Sequence, residues 1–466
     1  MLRENVMRWT LIACGLLIAT SGTPPRAGAE EEAKPWGPAP VAVERQGEHY
    51  RVLCHFDTSR IADEVLAAVE PVWDATVAVL GRSVEEKGRK DVHLYRGAAD
   101  FLAADKQITG GQFARNLAFT AEVDGTSHIA LQPEMDDTVF ARVGVSAVTL
   151  RTAAHEAAHG ALYQAMPNHD DQPQWLSEGL AIWIADTVLV AHELAPRADL
   201  DPMSSTRMVR VQRLLAGDVL PTPREIIFTK LDNTSFNDRY AVWSLFFRFL
   251  STTRDAKFLR TLIDTAWRTG GGNTFDARLA KSLEEAWGKA TLDALDKDFK
   301  AYVRALRPAW DETSRTLGIR GNTWTQMAWN TRNTAAWRVE PVGRAKFAIS
   351  GSVEILYGTN PQMNVLLARH KAGFVTVAFR ADAGVTILDY RSEGEVWRKV
   401  GWMDVPEVRV GNEVKFRIRI DGDQITLDIA DHDPLVWTLE DVDVTGSWGV
   451  GAQYSSAGIW RGVKLH

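Results

Sequence analysis

The segment 155–159 reads His-Glu-Ala-Ala-His, so two histidines and a glutamate stand at a spacing that suits metal chemistry. On an α-helix, positions i and i+4 share one face, so His155 and His159 can bind one cation while Glu156 points towards the same space. A catalytic zinc ion takes three protein ligands and keeps a fourth position open. Glu178 is the best candidate for the third ligand, because the 18 residues between it and His159 suffice for a turn and a returning helix.

Two helices joined by a turn must position these ligands. The first helix carries 155–159, and the polar segment 167–171 that follows is rich in turn-forming residues. Pro173 suits the first turn of the second helix, with Asp171 or Gln172 near its cap. The sequence therefore predicts a helix-turn-helix in which the second helix runs back across the first.

The segment 175–181 reads Trp-Leu-Ser-Glu-Gly-Leu-Ala and contains the candidate third ligand. His-Glu-x-x-His, the 18-residue gap and Trp-Leu-x-Glu-Gly-x-Ala together resemble the gluzincin metallopeptidases, which include thermolysin and aminopeptidase N, and most of all the aminopeptidase N branch. The resemblance implies an α+β zincin-like fold with a helical C-terminal portion and one Zn²⁺ per chain, held by His155, His159 and Glu178. It also implies that Glu156 is the general base in peptide-bond hydrolysis.

The resemblance extends to two further features. Tyr240 lies 62 residues after Glu178, near the position where aminopeptidase N-like enzymes carry a tyrosine that donates to the oxyanion. Its alternative role is that of a core tyrosine among neighbouring aromatic residues. In gluzincins an edge strand ahead of the zinc helix binds the substrate backbone, which suggests 128–132 for that role; a sheet strand without ligand contact is the alternative. The Gly-x-Met-Glu-Asn stretch that holds a substrate amine is missing, so exopeptidase action is not supported.

Other residues near the motif fit the role of third ligand less well than Glu178. A metzincin would need a glycine and a histidine where this chain has Leu162 and Ala165. His169 lies in the polar turn and fits a solvated loop residue better than a ligand. Asp186 fits a carboxylate that supports the site or faces solvent. Thermolysin has an acidic residue four positions after the third ligand, where this chain has Ile182. The sequence therefore does not identify the groups that orient the two imidazoles.

The N-terminal residues 1–29 have the features of a cleaved secretory signal: arginines, a short apolar core and Ala-Gly-Ala before Glu30. The apolar core is too short for a membrane span. A lipoprotein cleavage box ending at Cys14 is a weaker alternative, since few apolar residues precede it. Residues 30–40 are charged and proline-bearing, which predicts a flexible leader. We therefore expect a secreted or periplasmic protein in which Cys54 is the remaining cysteine, buried and inert.

Composition limits the classes of function. The chain has 466 residues, a formal charge of −7 and 45% hydrophobic residues, which predicts two or three domains with real cores. It has no basic stripe of the kind that nucleic-acid binding needs. We expect a peptidase domain at 41–310, a linker at 311–321 and a second domain at 322–466.

Within 41–310 the patterns predict mixed strands and helices. Strands are expected at 49–56, 92–95, 117–123 and 128–132. Helices are expected at 59–80, 98–104, 239–250, 256–267 and 292–306. Pro71 is expected to kink or divide the first of these helices.

Within 322–466 apolar and polar residues alternate, for example along 414–420, before a turn at Asp421-Gly422-Asp423. Similar runs at 374–379, 385–390 and 448–454 predict an antiparallel β-sandwich. The domain resembles concanavalin A-like or laminin G-like jelly rolls, a resemblance that allows a glycan or cell-surface polymer as ligand. Tryptophans offer stacking faces, with core packing as the alternative. They are Trp329, Trp337, Trp397, Trp402, Trp437, Trp448 and Trp460.

The sequence thus predicts an exported zinc endopeptidase acting on a peptide or protein substrate, with an appended all-β jelly-roll sandwich. Two alternatives stay open: a zinc hydrolase of another amide or ester, and a catalytically inactive binding protein that keeps the zinc scaffold. The intact Glu156 argues against the second, because a purely structural zinc site needs no base.

Overall fold

The computed structural model describes residues 40–466, except for 83, 115–117, 122–124, 132–143, 167–172, 229–233, 270–274, 312–316, 328–333, 359, 371–372, 392, 394–395, 440–443 and 454–455. Some predictions concern residues outside this description. They are the signal peptide at 1–29, the leader up to residue 39, the turn at 167–171, residues 312–316 of the linker and Trp329.

The described residues divide into two compact units. The first contains the described parts of 40–131, 149–192 and 214–304, and the second those of 144–148, 193–213 and 305–466. None of the described helices has the length and apolar character that crossing a membrane requires.

Among the described residues, one five-stranded sheet belongs to the first unit. Its strands are β1 (Val43–Gln46), β2 (Tyr50–Cys54), β3 (Lys90–Tyr95), β4 (Ala118–Thr120) and β5 (Ser127–Ala130). Their order is β1-β2-β3-β5-β4, with β2, β3 and β5 parallel and the two outer strands antiparallel. The assignment of 128–132 to the edge is therefore wrong. Since β5 pairs with β3 on one side and with β4 on the other, it lies inside the sheet, and β4 is the edge strand on that side.

Two helices accompany these strands, α1 (Ser59–Leu80) and α2 (Ala98–Thr109). Pro71 does not divide α1, which continues through it, and a kink at this residue stays a prediction. Val69 and Val72 are buried on either side of the proline, and this packing offsets the hydrogen bond that proline removes. Cys54 is buried as expected, and burial raises the pKa of its thiol to about 12.

The remaining helices follow in chain order. They are α3 (Ala147–Ala165), α4 (Gln174–Ala191), α5 (Pro202–Ala216), α6 (Pro223–Ile227), α7 (Phe236–Thr253), α8 (Ala256–Thr269), α9 (Phe275–Trp287) and α10 (Lys289–Ala305). α7 packs against α4, where the indole of Trp175 stacks on Phe247 and donates a hydrogen bond to the carbonyl of Ile227.

The second unit contains two antiparallel sheets, which confirms the predicted β-sandwich. The six-stranded sheet has the order β13-β12-β11-β10-β17-β8 and the seven-stranded sheet the order β16-β15-β14-β9-β18-β7-β6. Residues 317–320, inside the predicted linker, form β6. The strands are β6 (Leu317–Arg320), β7 (Thr323–Met327), β8 (Thr334–Trp337), β9 (Lys346–Tyr357), β10 (Gln362–His370), β11 (Gly373–Arg380), β12 (Gly384–Arg391), β13 (Val396–Met403), β14 (Glu413–Asp421), β15 (Gln424–Ile429), β16 (Leu435–Thr438), β17 (Ser447–Gln453) and β18 (Ala457–Leu465).

The alternation of β14 explains why this region forms a sandwich. Val414, Phe416, Ile418 and Ile420 are buried in the shared apolar core, and the residues between them are exposed. A period of two puts every apolar side chain on one face, so two such sheets bury their faces against each other.

Candidate functional site

The three predicted ligands converge in the first unit. His155 and His159 lie on α3 and Glu178 lies on α4. The two Nε2 atoms are 3.1 Å apart, and Glu178 Oε2 lies 3.4 Å from Nε2 of His155 and 3.5 Å from that of His159. All three side chains are buried. They are the one group of this kind, among the described residues, whose ligand atoms could hold a metal ion.

Small residues let α3 and α4 come close to their neighbours. A side chain at Gly160, next to His159, would meet the carbonyl oxygen of Gly125 at 2.7 Å. A side chain at Gly179, next to Glu178, would meet the Phe247 ring at 2.9 Å. The glycines beside two ligands are therefore required by close packing rather than by backbone conformation.

The entry to α4 differs slightly from the prediction. Pro173 is the N-cap residue, and the helix begins at Gln174. Pro173 therefore stands one position before the first turn, and its carbonyl accepts the amide hydrogen of Leu176. This places Glu178 in the second turn of the helix, opposite the two histidines.

Opposite effects act on the Glu178 carboxyl. Its burial raises the pKa, but attraction to His159 and His155 outweighs burial and lowers the pKa to about 2. The carboxylate is therefore ionised, and neither of its oxygens has a hydrogen-bond partner among the described residues. A buried anion beside two imidazoles is suited to receive a cation.

Glu156 is buried on the same helix. Its Oε2 accepts a hydrogen bond of 2.6 Å from the hydroxyl of Thr120 on β4, and its Oε1 is buried without a hydrogen-bond partner in the described part of the chain. Tyr50 on β2 donates to the carbonyl of Ala157, so hydroxyl groups of the sheet contact α3 at two consecutive residues. Sequence reasoning missed Thr120 and Tyr50, because a hydroxyl residue in a strand gives no signal of its own.

Asp186 is one of the carboxylates weighed from the sequence. It lies on α4 and accepts a 2.8 Å hydrogen bond from Arg151 on α3. The pair joins the two ligand-bearing helices. Asp186 therefore supports the helix pair. His169, the other residue considered near the motif, lies outside the described residues.

Tyr240 lies on α7, and its ring centre is 5.3 Å from that of Trp243. The Cβ of Trp243 lies near Gly179, so α7 packs on α4 beside Glu178. This is compatible with a role close to the ligands and also with packing among aromatic residues. The oxyanion role of Tyr240 stays a prediction.

The six-stranded sheet of the second unit carries a row of aromatic rings. Trp397, Tyr390 and Phe374 are paired across β13, β12 and β11, with ring centres 4.8 and 5.0 Å apart. Trp337 continues the row 5.3 Å from Phe374, but it is buried, so the prediction that it offers a stacking face is wrong. Trp397 is 43% exposed, which gives this aromatic row an accessible end.

The other tryptophans considered as stacking faces divide by burial. Trp448 and Trp460 are buried in the core, so the prediction that they offer stacking faces is wrong. Trp437 packs against the core and is partly buried. Sandwich cores favour large apolar rings, which the sequence pattern alone cannot separate from exposed ones. Trp402 is exposed, on the same strand as Trp397.

Comparison with known proteins gave no match to a protein-family model and none to a curated protein. Among solved structures, the chain is similar to carbohydrate binding module CBM66 from Bacillus subtilis, at 11% identity and a TM-score of 0.28, over 32% of this chain and 91% of that one. It is also similar to a legume lectin-like domain from Entamoeba histolytica, at 11% identity and a TM-score of 0.26, over 32% of this chain and 86% of that one.

A third similar structure is the VIP36 exoplasmic/lumenal domain in a Ca²⁺/Man3GlcNAc-bound form, at 10% identity and a TM-score of 0.28, over 34% of this chain and 83% of that one. At these values the matches assign neither an activity nor a ligand to this chain.

Proposed function

We propose that this protein is a zinc-dependent hydrolase that cleaves peptide bonds, an endopeptidase of the gluzincin type with a zincin-like catalytic unit. One observation carries the proposal. Two imidazole nitrogens and a carboxylate oxygen converge within 3.5 Å of one another, on helices that also hold the buried carboxylate of Glu156.

The ligand distances support zinc as the cation. A tetrahedral zinc ion with bonds of about 2.0–2.1 Å requires neighbouring ligand atoms to be about 3.3–3.4 Å apart. The three distances here are 3.1, 3.4 and 3.5 Å, which fits that requirement closely. Imidazole nitrogens with one carboxylate also suit zinc better than calcium or magnesium, which prefer oxygen ligands.

The roles of the chain's own residues follow from their positions. A zinc ion bound here supplies Lewis acidity, which polarises a carbonyl and makes water more acidic. Glu156 can take a proton from water at Oε1 and return it to the leaving amine, because this oxygen has no hydrogen-bond partner in the described residues. The edge strand β4 contacts Glu156 through Thr120, so an extended substrate paired with β4 would lie beside the carboxylate.

Metal analysis combined with a hydrolysis assay tests the proposal. The mature protein, Glu178→Ala, Glu156→Gln and the control Glu285→Gln would be assayed for zinc per chain and for cleavage of an unstructured protein. Glu285 is 68% exposed on α9, so its change removes a carboxylate of the same kind away from the three ligands.

About one zinc per chain is expected in the wild type and in the control. Glu178→Ala should lose zinc and cleavage together. Glu156→Gln should keep zinc and lose cleavage by roughly 10²–10⁴-fold, the usual contribution of a general base. Cleavage that survives in Glu156→Gln would refute the assigned base, and a wild type without zinc would refute the proposal. Zinc without peptide cleavage would favour another amide or ester, or a binding protein.

We infer a second function for the β-sandwich, the binding of a glycan or cell-surface polymer along the aromatic row. Rings at spacings of about 5 Å with an exposed end at Trp397 suit stacking on sugar rings. With the signal sequence predicted at 1–29, we place both functions outside the cytoplasm. Such a unit would concentrate the hydrolase on a polymer surface.

Sedimentation with insoluble polysaccharides tests this second function. Trp397→Ala should weaken binding about tenfold or more, since stacking on one ring is worth about 1–3 kcal/mol in comparable base-stacking sites. Trp402→Ala is the matched control, because it removes an equally exposed tryptophan from the same strand, outside the row. Equal loss in both variants, or no loss in either, would refute the assignment to the row.

A further inference from the structure

Thr120 makes a contact that goes beyond the proposed chemistry of Glu156. We propose that Thr120 is a positioning residue that decides which oxygen of the Glu156 carboxylate accepts a proton. The kinetic consequence of this inference rests on the proposed hydrolase function, and its structural consequence rests on the contacts of Thr120.

The Thr120 hydroxyl has one proton and three possible partners. Its Oγ1 lies 2.6 Å from Glu156 Oε2, 3.1 Å from the Glu156 carbonyl oxygen and 3.2 Å from Ser127 Oγ. All three residues are buried. The shortest of these distances is typical of a hydroxyl that donates to a carboxylate, so the proton goes to Oε2.

Ser127 gives this hydrogen bond its direction. Thr120 and Ser127 are directly paired across β4 and β5, which fixes their separation through the backbone register. Because Thr120 donates to the carboxylate, its oxygen is left to accept, and the Ser127 hydroxyl can donate to it. The chain of hydroxyls therefore runs from Ser127 through Thr120 to Glu156.

The consequence is an asymmetric carboxylate. Oε2 is occupied by Thr120, whereas Oε1 is buried and has no hydrogen-bond partner among the described residues. A buried polar oxygen without a protein partner needs an explanation, and a catalytic role, a water molecule or an ion each supplies one. Oε1 is thus the oxygen that is left to accept a proton. Thr120 fixes the orientation of the carboxylate, and so the position of Oε1, through its hydrogen bond to Oε2.

The competing interpretation is that Thr120 only anchors the edge strand to α3. Tyr50 provides the matched comparison, because its hydroxyl donates to the Ala157 carbonyl and does not contact a carboxylate in the described structure. Loss of the Tyr50 hydroxyl should therefore affect anchoring alone, and loss of the Thr120 hydroxyl should affect the carboxylate.

The experiment compares wild type, Thr120→Val, Thr120→Ser and Tyr50→Phe. Zinc per chain, kcat and KM on an unstructured protein are measured for each, together with crystal structures of the metal-free wild type and Thr120→Val. Thr120→Ala removes the hydroxyl without the second methyl of valine and replaces Thr120→Val if that variant does not fold.

We expect Thr120→Val to keep zinc and KM within about twofold and to lose kcat about tenfold, which corresponds to about 1.4 kcal/mol. Thr120→Ser should recover most of kcat, and Tyr50→Phe should keep it. In the metal-free crystal the Glu156 carboxylate should leave its wild-type position only in Thr120→Val.

Two results would overturn the inference. One is an unchanged position of Glu156 in metal-free Thr120→Val, which counts whether or not the protein hydrolyses peptides. The other is a kcat in Thr120→Val equal to that of Tyr50→Phe. Absence of hydrolysis in the wild type would refute the proposed function instead, and the crystal comparison would still decide the role of Thr120.

Discussion

The buried carboxylates of the β-sandwich differ from those on α3 and α4. In the β-sandwich, Glu354 accepts a 2.9 Å hydrogen bond from Arg461 and Asp389 a 2.8 Å bond from Arg391. In the first unit, Glu156 has one unpaired oxygen and Glu178 has two, counted over the described residues. Burial of an unpaired charge is costly, so an arginine partner marks carboxylates that serve stability. Glu178 lies beside two imidazoles instead, and the carboxylates on α3 and α4 are those that the proposed function uses.

Removal of one carboxylate from each unit tests this difference most strongly. Glu354→Gln should lower the free energy of unfolding by about 2–3 kcal/mol, because it weakens the charged hydrogen bond between the partly exposed Arg461 and the buried Glu354. Glu156→Gln should leave the unfolding of the metal-free protein within about 1 kcal/mol of wild type, because no ion pair is lost. Urea unfolding with chelator present measures both, and equal losses would remove the distinction.

Acidification should also separate the units. Burial, together with His93 and His55, lowers the pKa of His128 to about 3. Below an unfolded pKa of about 6.5, the unfolded chain binds a proton that the folded chain refuses, so stability falls as pH falls towards 3. The loss should be about 2 kcal/mol from pH 7 to pH 5.

The check is urea unfolding of metal-free wild type and His128→Gln at both pH values. Glutamine can still accept the hydrogen bond from Tyr95, which lies 2.9 Å from the His128 ring nitrogen. The variant should lose most of the extra acid sensitivity. The β-sandwich has no buried histidine among its described residues. An unfolding transition assigned to the β-sandwich should therefore lack this loss of stability between pH 7 and pH 5.

Glycine substitutions compare close packing with backbone conformation. Gly179→Ala would push its new methyl group into Phe247 and should cost about 2 kcal/mol, with displacement of Glu178 and weaker zinc binding. Gly422→Ala in the β14–β15 turn meets open space but has a φ of +62°, so it should cost about 1 kcal/mol and leave zinc binding unchanged. Thermal unfolding measures the stability of both variants, and zinc titration measures their zinc affinity. Wild-type zinc affinity in Gly179→Ala would contradict the prediction.

The smallest effect is expected on the outer surface of the sandwich. Arg419 and Asp428 form a 2.9 Å ion pair across β14 and β15, with side chains that are 48% and 31% exposed. Arg419→Ala should therefore change stability by about 0.5 kcal/mol. A loss near that of Glu354→Gln would show that burial does not separate the two kinds of pair. Thermal unfolding of wild type and Arg419→Ala at low and high salt measures this change in stability.

Local patterns were enough for several features. The i, i+4 spacing predicted that His155 and His159 share a helix face, and the alternation of 414–420 predicted a sandwich strand. The ends of α1 agree with the predicted 59–80, although its apolar face carries it through Pro71. These features depend on residues close in sequence, whose periodicity is set by the helix or the strand itself.

Contacts between distant residues were decided only by the tertiary structure. The order of β5 and β4, the bond from Thr120 to Glu156, and the burial of Trp460 depend on pairing across many residues. No local period records which strand lies at an edge or which hydroxyl faces a carboxylate, because several arrangements bury the same apolar residues. The sequence by itself determined the ligands to consider and the sheet-forming pattern, and the tertiary structure decided which oxygen of Glu156 is left unpaired.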